Sequence, residues 1–254
     1  MPEPLPSLIE PAPRPLAGPL RFIRYGFMPN RLRYCGSDDN STLFGYGLEG
    51  VVDGGLPLLL RRFTGALPYL QLIARANRIP DPFDARVVEA YWLGNELLET
   101  VEVRQLYDAL LERFGKQLQG RTRELVLGKA PAGARPHHSF HVLDVHSRVG
   151  ELEHSLATLD NCRVSWGRVT RQEGGELVVE RQPLLLRDGK LALGEARMER
   201  VLRQVGGRGF VDDAQPGDWV SLHWGWACEV LSERERANLE RYTHYHLAIA
   251  NQTV

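Results

Sequence analysis

Two stretches, CRVSWGRV (residues 162–169) and GDWVSLHWGWACEVLSERE (residues 217–235), decide the interpretation of this chain. Both mix apolar and polar residues as short, partly buried strands do. The first places a thiol, Cys162, just ahead of a strand, and the second runs along a strand to an imidazole, His223. Cysteine and histidine are ligands for a borderline metal such as iron. If a small β unit brings the two together, they predict a two-ligand metal site.

Short β-like segments fill the region between these two stretches. They are separated by the turn sequences EGG, DG and QPGD, and Asp188-Gly189 is typical of a two-residue hairpin. Ser232, with Glu235 three residues later, is typical of a capping box at the start of a last helix. The pattern predicts a small OB-like β-barrel with a terminal helix over residues 159–254.

The preceding part of the chain predicts helices instead. Apolar residues recur at helical spacing through residues 57–79 (with a break at 65–68), 85–101 and 103–114, and the proline-aspartate cluster at 80–84 is a helix-start signal. Residues 1–19 carry seven prolines and are expected to form a disordered tail. The predicted fold class is therefore α+β: a mainly α-helical domain over residues 20–158, of unassigned role, fused to the small barrel.

The composition excludes several classes of protein. The 254 residues are 43% hydrophobic and 25% charged, which is typical of a globular protein. Lysine and arginine (31) nearly balance aspartate and glutamate (32), so the charge favours neither nucleic acid nor membrane as a partner. No apolar run is long enough to span a bilayer, and the amino terminus does not resemble a signal peptide. Three widely spaced cysteines form no disulfide framework, so a cytoplasmic protein is predicted.

The carboxy-terminal third resembles the HypC/HupF family of hydrogenase assembly chaperones. Members begin with Met-Cys, pass through a Pro-Gly step into a first strand, and later carry a strand that ends in His-x-Gly-Phe-Ala. Cys162 stands where the family has its cysteine, and Gly167 and Val169 fall at the spacing of its glycine and first strand. Residues 217–227 follow the second motif through His223. Trp166 replaces the family's proline, and the cysteine is internal here.

The resemblance implies a role in assembling the active site of [NiFe]-hydrogenases. Family members hold an iron that carries cyanide and carbon monoxide, and pass it from a HypD-type scaffold to the hydrogenase large-subunit precursor. The implied ligands are Cys162 and His223, the implied cofactor is transient iron, and the implied partners are those two proteins. We expect a protein that binds the iron rather than an enzyme that catalyses a reaction. Assembly into a homo-oligomer is compatible with the sequence. An adaptor that has kept the barrel but lost the metal is a blander alternative.

A second group of metal-ligand residues lies in PHHSFHVLDVH (residues 136–146). His137, His138 and His141 are candidate additional ligands, although neighbouring histidines more often include exposed residues with no ligand role. Together with Cys35 they could complete the Cys162–His223 site across a domain interface. The alternative function is a metal-dependent enzyme with its site in the amino-terminal domain, at Cys35, His137 and His141, and with the barrel as a docking module.

Cys35 precedes a helix start at residues 38–41, and a helix amino terminus lowers the pKa of a nearby thiol. A packed, unreactive cysteine is the favoured alternative. Tryptophan is enriched at interface hot spots. Two interpretations are therefore open for the tryptophans, a partner-binding surface or a role in the barrel core: Trp166, Trp219, Trp224 and Trp226.

The whole chain also resembles an uncharacterised bacterial protein family. The segments that carry this second resemblance are residues 27–40 and 73–98. It implies no activity.

Overall fold

The computed structural model describes residues 16–116, 118–146 and 155–253. Its amino-terminal part is helical. The helices are α1 (Gly18–Arg31), α2 (Asn40–Glu49), α3 (Leu56–Leu60), α4 (Leu67–Ala76), α5 (Ala85–Trp92), α6 (Val103–Phe114), α7 (Gly120–Gly128) and α8 (His138–Phe140), with a 3₁₀ turn at Glu96–Leu98 and a π-helical turn at His141–His146. A further helix, α9 (Leu156–Cys162), leads into the strands, and α10 (Glu233–Ala250) ends the fold.

The carboxy-terminal part is rich in sheet. The strands are β1 (Ser165–Glu173), β2 (Glu176–Arg181), β3 (Leu184–Arg187), β4 (Lys190–Leu193), β5 (Arg197–Leu202), β6 (Gln204–Val205), β7 (Arg208–Gly209), β8 (Trp219–His223) and β9 (Trp226–Val230). Five of them pair in the order β1-β2-β5-β9-β8, and β8 pairs back onto β1. We call these five strands the closed sheet. The pairs β3–β4 and β6–β7 form separate ribbons.

The predicted mixture of helices and sheet is confirmed, with the sheet-rich region in the carboxy-terminal part and a helix at its end. Asp188-Gly189 turns the β3–β4 hairpin, and Ser232 and Glu235 form both hydrogen bonds of the capping box. Residues 1–15 of the predicted tail lie outside the described residues, while Gly18 already begins α1. The domain boundary near residue 158 stays a prediction.

The single helix expected over residues 85–101 is wrong. Helix α5 ends at Trp92, and Gly94 follows with a φ of +87°. A side chain is strained in that conformation, so the glycine allows the chain to turn there. The turn lets Glu96–Leu98 pack as a separate 3₁₀ segment.

Helix α1, which the sequence pattern did not predict, forms the centre of the molecule. Pro19 lies in its first turn, where a missing N–H costs nothing, and apolar side chains then recur at helical spacing. Phe22, Tyr25 and Phe27 are completely buried. The helix packs against α5 and α2 of the helical part and against β8 and β9 of the closed sheet. The helical part and the closed sheet therefore share one main hydrophobic core.

A buried cluster of charges fixes α1 between its neighbours. The Arg21 guanidinium lies 2.7 Å from a carboxylate oxygen of Glu89 on α5, 2.8 Å from Glu229 on β9 and 2.8 Å from Glu235 on α10. Tyr25, one turn further along α1, donates its hydroxyl to Glu229 at 3.1 Å. The four ionised side chains are all nearly buried. Each therefore needs the attraction of the others to compensate for the hydration that it loses on folding.

Replacement of the central cation should destabilise the fold strongly. In Arg21→Met, three nearly buried carboxylates lose a common partner, and we expect the free energy of unfolding to fall by about 3–5 kcal/mol. Urea denaturation followed by circular dichroism measures this change. Arg104→Met is the matched control, because Arg104 pairs with Asp108 on the exposed face of α6 and should contribute less than about 1 kcal/mol. Equal losses in the two variants would contradict the account of the cluster.

Candidate metal centre

Three side chains from separate elements converge beside α1. They are His138 at the start of α8, Cys162 at the end of α9 and His223 at the end of β8. One ligand atom from each lies within 4.8 Å of the other two. In a tetrahedral site with usual bond lengths the donor atoms are roughly 3.5 Å apart, so small side-chain rotations would close the remaining gap.

His223 is oriented by the backbone of α1. Its Nδ1 lies 2.7 Å from the carbonyl oxygen of Tyr25, so Nδ1 carries the proton and Nε2 keeps its lone pair. Nε2 is buried and has no hydrogen-bond partner among the described residues. Burial lowers the pKa of His223 to about 4, a shift that the backbone groups of Tyr25 and Cys162 partly oppose. The imidazole is therefore neutral at physiological pH, which is the form that binds metals.

Strand geometry explains why His223 faces α1 rather than the interior of the closed sheet. Val220 and Leu222 belong to the small core inside the sheet, whereas Ser221 hydrogen-bonds to Tyr25 on α1. Side chains alternate between the two faces of a strand, so His223, two residues after Ser221, lies on the same face as Ser221. Ser221 and His223 therefore lie on the side of β8 that faces α1.

Cys162 is the last residue of α9, a short helix whose first turn is capped by the Ser155 hydroxyl. Burial raises the pKa of the Cys162 thiol to about 12, and the nearby Cys35 adds to this rise, while the Trp224 side chain opposes it. The metal-free site therefore holds a neutral thiol. Metal binding would require the thiolate and would release a proton.

The turn between β8 and β9 sets the position of Cys162 relative to His223. The backbone N–H of Trp224 donates to the carbonyl oxygen of Asn161 at 2.8 Å, one residue before the cysteine. Trp224 has a φ of +55° and Gly225 a φ of +67°, so both central residues of the turn are left-handed. A tryptophan in that conformation is strained, and such strain is often found beside functional sites.

Aromatic side chains hold His138 in place. Its ring centroid lies 4.6 Å from that of Trp92 and 5.6 Å from that of Tyr91, both on α5. It also meets the His223 ring edge to face, with centroids 5.0 Å apart. The second imidazole of the site is therefore positioned by the helical part of the molecule, while His223 is carried by the closed sheet.

The three residues border a cavity of about 500 Å³. Cys35 and His141 also line it, and so do two cations, Arg33 and Arg113. The Tyr69 hydroxyl contacts His141 Nδ1 at 3.3 Å. No aspartate or glutamate is present among the described residues that line the cavity. Its polar side chains are thus thiols, imidazoles and guanidinium groups, together with hydroxyl and indole groups.

The candidate ligands named from the sequence divide into two sets. Cys162, His223 and His138 come together, and Cys35 and His141 border the same cavity. His137 belongs elsewhere: it hydrogen-bonds to Ser139 and stacks on Tyr242 of α10. The side chain of His146 lies outside the described residues.

Cys35 is the packed, protonated thiol that the sequence favoured over a thiolate. Burial raises the pKa of this thiol to about 11, and the opposing effect of the Gly36 backbone and of the Arg113 charge is smaller. The helix start that was expected to lower the pKa does occur, since α2 begins at Asn40. Desolvation outweighs it, as the alternative of a packed cysteine implied.

The four tryptophans do not form one surface. Trp226 and Trp166 are buried, with 0% and 7% of their surface exposed, so they belong to the core of this conformation. Trp219 is half-buried beneath the Arg236 guanidinium, and Trp224 stacks on the exposed Tyr34 with ring centroids 4.2 Å apart. Partner binding stays a prediction only for Trp219 and Trp224.

Several residues that shape the site were not identified from the sequence. Tyr25 orients His223, Trp92 supports both imidazoles, and Arg113 places a charge beside the cavity. Trp92 and Arg113 lie within segments whose apolar spacing predicted helices. That spacing shows which residues are buried, but it does not show which element they meet.

A second histidine cluster anchors the segment that carries His138. His246 on α10 lies with its Nδ1 2.7 Å from the Ser139 hydroxyl and accepts a hydrogen bond from the Arg135 backbone N–H on Nε2 at 3.2 Å. It is fully buried, so it packs inside the fold against the segment that carries His138. Burial lowers the pKa of His246 to about 3.

This buried imidazole should make stability depend on pH. Below about pH 6.5 the unfolded chain binds a proton at residue 246, whereas the folded chain excludes it down to about pH 3. Within this window the free energy of unfolding therefore falls by about 1.4 kcal/mol for each unit by which the pH decreases. In His246→Gln, the loss between pH 7 and pH 5 should be about 2 kcal/mol smaller than in the wild type. Urea denaturation of the metal-free protein at both values measures this, and the exposed His244→Gln is the control. An unchanged loss in His246→Gln would refute the assignment.

Comparison with known proteins places the chain in a family without assigning its chemistry. A family profile described as a family of unknown function (DUF6390) matches residues 14–254, so the chain belongs to that family. No curated protein and no solved structure matches it. The expected membership of an uncharacterised family is thus confirmed, and the resemblance to the HypC/HupF family stays a prediction. Among the described residues, no helix is long and apolar enough to cross a membrane.

Proposed function

We propose that this protein binds one transition-metal ion through Cys162, His138 and His223. The observation that carries the proposal is the convergence of three donor atoms within 4.8 Å, one of which, His223 Nε2, is buried and has no hydrogen-bond partner in the described part of the chain. A buried nitrogen left in this way is unfavourable unless something occupies the position that it faces. A metal ion would satisfy it.

The donor set selects the class of metal. One thiolate and two imidazoles suit iron or zinc, whereas magnesium and calcium prefer oxygen ligands. Three protein ligands leave at least one coordination position for an exogenous group, as in metal sites that act on or exchange a ligand. The cavity of about 500 Å³ beside the cluster offers room for such a group.

For the role of the centre, we propose assembly of a metalloenzyme. The protein would hold an iron that carries cyanide and carbon monoxide and relay it between a HypD-type scaffold and the large subunit of a [NiFe]-hydrogenase, in the cytoplasm. The closed sheet would serve as an OB-like barrel, with Trp219 and Trp224 as partner contacts. Two observations support this role. The two ligands that the resemblance implies, Cys162 and His223, lie together. The described residues that line the cavity include cationic groups but no carboxylates, and this charge suits anionic cyanide.

A metal-dependent enzyme is the second candidate function. His141 borders the cavity and contacts the Tyr69 hydroxyl, so it could accept a proton from a group bound to the metal. Its site would be this same cavity, shared by the helical part and the closed sheet, with Cys35 and His141 facing the three ligands. His137 would have no part in it.

Infrared spectroscopy distinguishes the two roles. The chain is purified anaerobically after co-expression with a HypD-type scaffold and the factors that make the iron ligands, beside Cys162→Ala and His223→Ala. For an iron carrier we expect carbonyl and cyanide stretching bands in the wild type that both variants lose, because each variant removes a ligand. Cys228→Ala is the matched control, since it removes a buried thiol that does not line the cavity.

The other outcomes decide against parts of the proposal. A wild type without these bands, under conditions in which an authentic chaperone shows them, would refute the carrier role. Stoichiometric metal without bands would favour the enzyme. Metal retained by the Cys162→Ala/His223→Ala double variant would refute the proposed ligands and assign the metal to other residues.

A further inference from the structure

Arg113 is a fixed cation beside the candidate metal centre. Its two terminal nitrogens donate to the carbonyl oxygens of Gly65 and Thr64, at 3.1 and 2.9 Å. The guanidinium carbon lies 5.4 Å from the centre of the Tyr69 ring and 4.8 Å from that of Phe114. Four of these five residues line the cavity, and the fifth, Tyr69, contacts His141, which also lines it. The charge is therefore held in one place before any ligand arrives.

No carboxylate pairs with this charge in the described part of the chain. Both hydrogen bonds of Arg113 go to neutral carbonyl groups, and no ion pair of the described residues includes it. A guanidinium has five N–H donors, so three remain for other partners. The exposed Arg33 adds a second cation at the same cavity.

The charge of Arg113 reaches the thiol side of the cavity. It lowers the pKa of Cys35, in opposition to the larger effect of burial, and Cys35 in turn raises the pKa of Cys162. Arg113, Cys35 and the proposed ligand Cys162 are thus close enough to interact electrostatically. Burial favours the neutral thiol of Cys162 and the unprotonated imidazole of His223.

We propose that the cavity takes a small molecule with one negative charge, which coordinates the metal and whose charge Arg113 stabilises. The inference rests on the proposed metal centre and adds the chemical class of its exogenous ligand. A divalent metal with one thiolate ligand leaves one net positive charge, so a monoanion neutralises the metal and its thiolate, while the positive charge of Arg113 attracts that anion. Neutral ligands gain nothing from Arg113.

Cobalt-substituted protein and two probe ligands test the inference. Azide is the anionic probe and imidazole is the neutral one, and both are titrated against the visible bands of Co²⁺ in the wild type, Arg113→Gln and Arg113→Lys. In Arg113→Gln we expect the dissociation constant for azide to rise about tenfold or more, since a charge-assisted contact is lost, and that for imidazole to stay within about twofold. Arg113→Lys keeps the charge and should retain most of the azide affinity.

Arg104→Gln is the matched control, because it removes the same charge from the exposed face of the same helix. It should leave both affinities unchanged. Equal azide affinity in Arg113→Gln and the wild type would overturn the inference, and so would a parallel loss of azide and imidazole, which indicates a structural role. If Arg113→Gln does not fold, Arg113→Lys provides the test instead. Equal losses of azide affinity and imidazole affinity in Arg113→Lys would overturn the inference. Absence of cobalt bands in the wild type would refute the metal centre itself, and the inference with it.

Discussion

The rest of the structure depends on the buried ionic cluster around Arg21. This one guanidinium contacts carboxylates from α5, β9 and α10, so it fixes α1 against both the helical part and the closed sheet. Tyr25 lies one turn further along the same helix; its hydroxyl joins the cluster through Glu229, and its carbonyl oxygen receives His223 Nδ1–H. The interaction that positions the helix therefore also orients a proposed ligand.

The candidate metal centre is assembled from parts that are far apart in the sequence. His138 is held by the aromatic residues of α5 and by the His246 cluster of α10, whereas Cys162 and His223 are joined through the strained Trp224 turn. Desolvation keeps the Cys162 thiol and the His223 imidazole neutral, and neutral groups are compatible with a buried position. A metal would add charge there, and Arg113 and Arg33 supply the electrostatic environment in which an anion compensates it.

The sequence predicts some of these features because they depend on local patterns. The Asp188-Gly189 hairpin, the Ser232–Glu235 capping box and the inward and outward faces of β8 follow from turn chemistry and period-two alternation. The pairing of Cys162 with His223 was expected from their order relative to two strands. The choice of His138 rather than His137 was not accessible, because adjacent residues differ only in which neighbours they meet after packing. Helix α1 was missed, since its prolines at 19 and 29 resemble those of the preceding tail, although each lies near an end of the helix.

X-ray absorption spectroscopy of the zinc-loaded protein tests the central claim most directly, with Cys162→Ala and Cys35→Ala measured beside the wild type. A centre formed by Cys162, His138 and His223 predicts one sulfur at about 2.3 Å and nitrogen at about 2.0–2.1 Å in the wild type. The sulfur should disappear in Cys162→Ala and remain in Cys35→Ala. A coordination sphere without sulfur, or one whose sulfur survives in Cys162→Ala, would contradict the account.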